Sequence, residues 1–212
     1  MPESPRPIAV ALTGASGMPY ALRLIEVLVQ ARRPLYLLYS QAAQVVMKME
    51  AGIDLPGTSR EAEAMLAEKF GALPGMLRVF GRQQWTAPVA SGSNPPGAMV
   101  VVPCTTGTLA SIAAGICDDL IDRAADVMLK EQRRLILVVR ETPFSSIHLE
   151  NMLRLARAGA VIMPANPGFY FQPDTVADLV DFMVGRILDQ LGIDHALTPR
   201  WGAEDLPAGD GS

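Results

Sequence analysis

Short apolar runs alternate along the chain with longer segments in which apolar residues recur every three or four positions. The first pattern is that of buried strands and the second that of amphipathic helices; their alternation predicts βαβ units around a parallel sheet. Ile8–Leu12 reads as the first strand, ended by Thr13-Gly14-Ala15-Ser16-Gly17. The helix that follows sets Leu22, Ile25, Leu28 and Val29 on one face. Leu35–Tyr39 is the second strand, with Ser40 as N-cap for a helix over 41–49. Residues 51–75 are looser and hold one helix, Ser59–Phe70, and residues 78–80 form a short strand. Residues 85–97, rich in Pro, Ser and Gly, read as an ordered loop or lid. Further strands are expected over 98–102, 135–139 and 160–163. The helical stretches between and after them are 109–131, broken near Gly115, then 145–158 and 175–191, the last two stopping at Gly159 and Gly192.

The chain has 212 residues, half of them hydrophobic, which suits one α/β domain over 1–202. An acidic, Gly/Ala-rich tail over 203–212 is expected to be disordered. A net charge of −4 supplies no general field for nucleic acid or anionic membrane, so neither is expected as a partner. Cys104 and Cys117 cannot build a disulfide framework, and with His148 and His195 they offer no metal-ligand spacing. No metal is expected, and a reducing, cytoplasmic setting fits. The apolar run at Ile8–Leu12 is too short for a signal-peptide core and follows Glu3 and two prolines. No apolar stretch reaches the roughly 20 residues needed to span a bilayer.

In wound parallel sheets a ligand sits beyond the carboxyl ends of the strands, near the point where strand order reverses. The unusual residues lie in those places: Gly14-Ala-Ser-Gly17, Ser40, Thr105-Thr-Gly-Thr108, Arg140-Glu141 and Gly168-Phe-Tyr170. Small residues between strand and helix let backbone N–H groups approach an anion, and the helix N-terminus adds a favourable dipole. The first loop is neither a dinucleotide fingerprint nor a P-loop, and Met18 stands where a hydrolase elbow needs its last glycine. A tight turn would also account for its glycines, and N-capping alone for Thr105. Two such loops in one sheet suit a nucleotide with a phosphate at one end. The chain is too short for two mononucleotide-binding halves plus a substrate domain, so FMN fits better than NAD or FAD.

Charged residues offer a second anion site. Arg123 and Lys130 are seven apart and share a helix face, although Asp126 could pair with Lys130 and leave an ordinary solvated surface. Arg186 lies among apolar helix positions, and Arg140 at a strand end. Asp118-Asp119-Leu-Ile-Asp122 matches the Mg-diphosphate string of terpenoid synthases, but those enzymes are all-helical. Here the acidic run reads as a helix start.

Taken together, T-G-A-S-G-M-P-Y (13–20), P-C-T-T-G-T-L (103–109), L-I-D-R-A-A-D-V-M-L-K-E (120–131), R-E-T-P-F-S-S-I-H-L-E-N-M (140–152), P-A-N-P-G-F-Y (164–170) and P-R-W-G (199–202) closely resemble the UbiX flavin prenyltransferases over about residues 8–202. Thr105 stands where many members have Ser, and Asp118-Asp119 where Asn is frequent. The resemblance implies a Rossmann-like or flavodoxin-like α/β/α fold and transfer of dimethylallyl from its monophosphate to N5 and C6 of reduced FMN. The product would be the prenylated FMN used by UbiD-type decarboxylases, made by a homo-oligomer, a dodecamer in the family. It assigns FMN contacts to Gly14, Ala15, Ser16, Ser40, Thr105, Thr106, Gly107, Thr108 and Arg140. Tyr170 and Arg186 would bind dimethylallyl phosphate, with Lys130, Arg123 and Glu141 around it. Glu50 matches the family's proton-handling carboxylate, with Ser16 beside it in the catalytic set, and Trp85 and Trp201 match the aromatics that wall the prenyl group.

Two other functions stay in competition. One is an FMN-dependent decarboxylase acting directly on an acid, like the peptidyl-cysteine decarboxylases of this fold; those use a catalytic His in an early helix, where this chain has neither His148 nor His195. The other is a non-enzymatic flavin-binding subunit, which would not require Glu50, Lys130, Arg186 and Tyr170 together.

Overall fold

The computed structural model describes residues 5–198. Six strands, β1 (Ile8–Leu12), β2 (Leu35–Tyr39), β3 (Leu77–Val79), β4 (Ala98–Cys104), β5 (Arg134–Val139) and β6 (Val161–Pro164), alternate with helices. The helices are α1 (Met18–Gln30), α2 (Gln41–Ala51), α3 (Ser59–Phe70), α4 (Thr106–Ala114), α5 (Leu120–Lys130), α6 (Ser146–Arg157) and α7 (Val176–Leu191). The sheet is parallel throughout, in the order β3-β2-β1-β4-β5-β6. This is the doubly wound order whose switch point lies between β1 and β4.

Every residue of β1 and β4 is buried, as expected of strands covered by helices on both faces. Ala9, Ala11, Met99, Val101, Leu135 and Leu137 form one core with α4, α5 and α6, while α1 packs on β1 and β4. The α1 stripe is Met18, Ala21, Leu24, Ile25, Leu28 and Val29. Leu22, expected in that stripe, is only half-buried, because the face is centred on Ala21, Leu24, Ile25 and Leu28. The helical stretch after β4 is two helices. Gly115 closes α4 in the left-handed conformation (φ 71°), and Asp119 caps α5 by accepting from the N–H groups of Ile121 and Asp122. That is the helix-start role read for the acidic run.

Pro103 lies inside a central strand, where it has no N–H for the ladder. The β4–β5 register accordingly shifts between Val101 and Cys104. This irregularity faces the switch point.

The chain divides into two compact units, Met1–Ala165 and Asn166–Ser212. The first holds the sheet and α1–α6. In the second, Thr175 and Asp178 form a capping box at the start of α7, and Gly192 (φ 66°) ends it. Among the described residues, no helix is long and apolar enough to cross a membrane.

Candidate active site

Because the strands are parallel, the segments after β1, β2, β4 and β5 leave the sheet at one edge. Backbone hydrogen bonds tie them together there. The N–H of Ser40 donates to Leu12 O (3.0 Å), and that of Arg140 donates to Cys104 O (3.2 Å). Thr13 is buried, and its hydroxyl donates to Pro103 O (2.7 Å) while accepting from the N–H of Thr105 (2.9 Å). The Arg140 Nε donates to Ser16 O at 3.4 Å. Gly14, Ala15, Ser16, Ser40, Thr105–Thr108 and Arg140 are thereby gathered around the switch point.

Helix α2 lies along the Gly14–Gly17 segment. A Cβ on Gly14 would come within 2.4 Å of Ala42 Cβ, so glycine is what permits this approach. Ser40 caps α2 by accepting from the N–H of Ala43 (3.1 Å). At the far end of α2, one Glu50 oxygen accepts from the N–H groups of Gly17 (2.9 Å) and Met18 (2.8 Å). The anion at the α1 N-terminus is therefore the protein's own carboxylate, not a free position for a ligand phosphate as the loop pattern had suggested. Burial works against ionisation of Glu50, but hydrogen bonds from Ser16, Gly17 and Met18 and the charge of Arg140 outweigh it and lower its pKa.

The start of α4 is different. Thr105 accepts from the N–H of Thr108 (3.1 Å) and donates to the Thr108 hydroxyl (2.9 Å). The N–H groups of Thr106 and Gly107 belong to the first turn, which has no intrahelical acceptors for them. A Cβ added to Gly107 would meet only Thr105 Oγ1, at 3.9 Å, so this helix end opens outward. Open N–H donors, hydroxyls and the helix dipole fit a phosphate. The methyl of Ala15 is buried, leaving only its backbone for a ligand, whereas Ser16 is exposed.

Other expected site residues stand apart. Arg123 donates to Ala90 O (3.0 Å) and pairs with Asp126 (2.7 Å). Lys130 pairs with Glu131 and lies against Gly92. The expected Asp126–Lys130 pair is thus replaced, because Arg123 reaches Asp126 across one turn and Glu131 stands beside the lysine. Arg123 and Lys130 do share one face, toward residues 90–92. Helix α5 starts beside Arg82, beyond β3, and its 11 residues descend roughly 16 Å at 1.5 Å each. Lys130 therefore lies at the amino edge of the sheet, opposite the switch point. Glu141 follows Arg140 at the carboxyl edge and accepts from the N–H of Thr142 (3.1 Å). Trp85 is 47% exposed in the segment after β3.

Within the second unit, Tyr170 stands edge-on to Phe182 at 5.8 Å and is exposed. Arg186 is exposed and pairs with Asp189 at 2.6 Å. Trp201 lies outside the described residues. A cavity of about 270 Å³ beside Ser40 is lined by Tyr39, Gln41, Gln44, Phe80 and Arg82 among others. A larger one, about 430 Å³, lies at the amino edge between Arg133, Arg134 and Arg157 and is lined by none of the candidate residues. No group of three or more His, Cys, Asp and Glu among the described residues could hold a metal ion.

Sequence reasoning missed Thr13 as a site residue. The available signal was a hydroxyl at the end of a fully apolar strand, where burial obliges it to find two partners.

A wound parallel sheet with an open helix N-terminus at its switch point is the arrangement of a mononucleotide-binding α/β protein. Residues 2–188 match the model of the Flavoprotein family, and the chain belongs to that family and, within it, with the UbiX flavin prenyltransferases. The flavin prenyltransferase UbiX of Pseudomonas aeruginosa is 56% identical over 204 residues, 96% of this chain and 98% of the relative. The mitochondrial flavin prenyltransferase of Saccharomyces cerevisiae is 42% identical over 200 residues, 94% of this chain and 77% of the relative. The crystal structure of AnUbiX with FMN and dimethylallyl pyrophosphate superposes with a TM-score of 0.81 at 42% identity, covering 93% of this chain and 97% of that one. A dodecameric FMN-dependent UbiX-like decarboxylase from Escherichia coli O157:H7 gives a TM-score of 0.79 at 39% identity, covering 92% and 98%.

Proposed function

We propose that this chain is a cytoplasmic flavin prenyltransferase that moves dimethylallyl from its monophosphate to N5 and C6 of reduced FMN. The single observation that carries the reading is the Glu50 carboxylate accepting from the N–H groups of Gly17 and Met18 beside the switch point, in a chain 56% identical to a UbiX enzyme.

Thr105, Thr106, Gly107 and Thr108 hold the FMN phosphate at the start of α4, the end that is open to an anion. Gly14, Ala15, Ser16, Ser40 and Arg140 line the rest of the flavin. Reduced FMN supplies the nucleophilic atoms N5 and C6. Breaking the allylic C–O bond develops negative charge on the departing phosphate, and Tyr170, Arg186, Arg123 and Lys130 supply the donors and cations that stabilise it without a metal. Trp85 and Trp201 give the allyl fragment an aromatic, water-poor enclosure. The bond to N5 forms as the C–O bond breaks, and N5 gives up its proton. Ring closure then joins C6 to the far carbon of the allyl double bond, whose middle carbon takes a proton while C6 loses its own. Glu50, kept as a carboxylate, is the base for the C6 proton. Glu141 carries a proton to the leaving phosphate.

The position of Lys130 at the amino edge supports its delivery to this chemistry by a neighbouring copy, in a homo-oligomer such as a dodecamer. The product serves a UbiD-type decarboxylase. Anaerobic incubation with reduced FMN and dimethylallyl monophosphate, followed by mass analysis, is expected to give a flavin one isoprene unit heavier in the absence of Mg²⁺. Unaltered FMN from folded, ligand-bound protein overturns the reading, and release of CO₂ from a supplied acid by this chain alone would establish the decarboxylase instead.

A further inference from the structure

Thr13 is 1% exposed at the carboxyl end of β1, and both functions of its hydroxyl are used inside the protein. It donates to Pro103 O (2.7 Å) and accepts from the N–H of Thr105 (2.9 Å). Its own N–H also points at Pro103 O, at 3.3 Å. These contacts fall where the β4–β5 register shifts, so β5 does not hold this stretch of β4 in regular pairing. The next residue in the chain of bonds is Thr105, whose hydroxyl accepts from the N–H of Thr108 at 3.1 Å. One buried hydroxyl therefore spans the switch point from β1 to the residue that caps α4.

We infer that Thr13 is a positioning residue for FMN binding: it holds the Thr105 N-cap, and with it the open N–H groups of Thr106 and Gly107, in the orientation that receives the flavin phosphate. Thr13 touches no ligand, since its hydroxyl is satisfied by the protein and its side chain is enclosed. Removing the hydroxyl leaves the part-buried N–H of Thr105 without its partner, and leaves the carbonyl of Pro103 with only the longer contact from the N–H of Thr13. The relief open to them is rotation of the Thr105 turn, which spoils the phosphate cradle. The inference rests on the flavin site proposed above, but not on prenyl transfer.

The test compares Thr13→Val, which keeps the shape without the hydroxyl, with Thr13→Ser, which restores it. FMN titration followed by flavin fluorescence is expected to show affinity weakened about tenfold or more for the valine variant, in the range that an unsatisfied buried group produces. Serine is expected to recover most of that loss. In steady-state assays, the KM for FMN rises in the valine variant while kcat at saturating FMN changes little. Wild-type affinity in folded T13V, or T13S as weak as T13V, overturns the inference. A merely structural role would lower the melting temperature of T13V and leave FMN affinity of the folded protein intact. Should T13V not fold, amide hydrogen exchange of Thr105 in the wild-type protein decides: protection before FMN is added is expected, and an unprotected amide overturns the inference. Wild-type protein that binds FMN yet makes no prenylated product refutes the proposed activity and leaves this inference standing.

Discussion

Replacing Glu50 by glutamine removes the charge from the α1 cap while keeping its size and one acceptor oxygen. In the wild-type protein that oxygen receives the N–H groups of Gly17 and Met18 at 2.9 and 2.8 Å. A carboxylate at a helix N-terminus contributes about 0.3–1 kcal/mol, and loss of a capping acceptor costs about 1 kcal/mol. Glu50 is exposed, so solvent screening holds the charge contribution to the lower part of that range. E50Q is thus expected to lose about 0.5 kcal/mol at pH 7, and E50A about 1–1.5 kcal/mol. Because the folded-state pKa is below the ordinary 4.5, the stabilisation is complete above that pH. It disappears as pH falls through the lowered value, where wild type and E50Q converge. Urea unfolding by circular dichroism at pH 7 and near pH 3, at one fixed protein concentration, measures both differences. An E50Q deficit that is as large near pH 3 as at pH 7 would refute the account of an ionised cap. In turnover, E50Q is expected to lose the base and with it most of the activity, while FMN still binds.

Arg186→Ala is expected to weaken use of dimethylallyl phosphate by about 1.5–3 kcal/mol with FMN binding retained; an equal collapse of FMN binding in fluorescence titration contradicts the two-site assignment. Gly14→Ala places a Cβ within 2.4 Å of Ala42 Cβ, so α2 must shift. An overpacking loss of about 1–3 kcal/mol in urea unfolding, together with weaker FMN binding, is expected. Asp122 is buried, and burial followed by the charges of Asp119 and Asp118 pushes its pKa up to about 6. The folded protein therefore holds more protons than the unfolded chain between the ordinary 3.8 and about 6, and stability falls as pH rises across that window. Asp122→Asn is expected to be more stable than wild type at pH 7 by about 1–2 kcal/mol and to lose that advantage near pH 4, as read by unfolding at the two pH values.

The arrangement of strands and helices was legible because its signals are local. Continuous apolar runs marked buried parallel strands, and Ser40 was legible as the cap of α2, whereas Ser145 and Thr175, expected as first helical residues, are the N-caps of α6 and α7. Boundaries moved where tertiary pairing extended a segment: β4 runs on to Cys104, through a proline that local reasoning would use as a stop. The flavin loops were legible as small residues at strand ends, and the family resemblance rested on six ordered sequence blocks, one of them helix α5 itself. What each loop does was less legible. The Gly14–Gly17 turn read as one of two loops able to approach an anion, but Glu50, 33 residues from Gly17, already takes the N–H groups of Gly17 and Met18. The pairing of Arg123 with Asp126, in place of Asp126 with Lys130, depended on side-chain reach that spacing alone leaves open.

The pattern along the chain by itself determined that this is a parallel α/β protein with small and hydroxyl residues at its strand ends, since burial, periodicity and capping act over a few neighbouring residues. Only the tertiary structure decided the strand order, the bond between Thr13 and Thr105 across 92 residues, and which helix end remains open to an anion. Those outcomes depend on which buried donor finds which acceptor once the sheet has closed, and such partners carry no fixed separation in sequence.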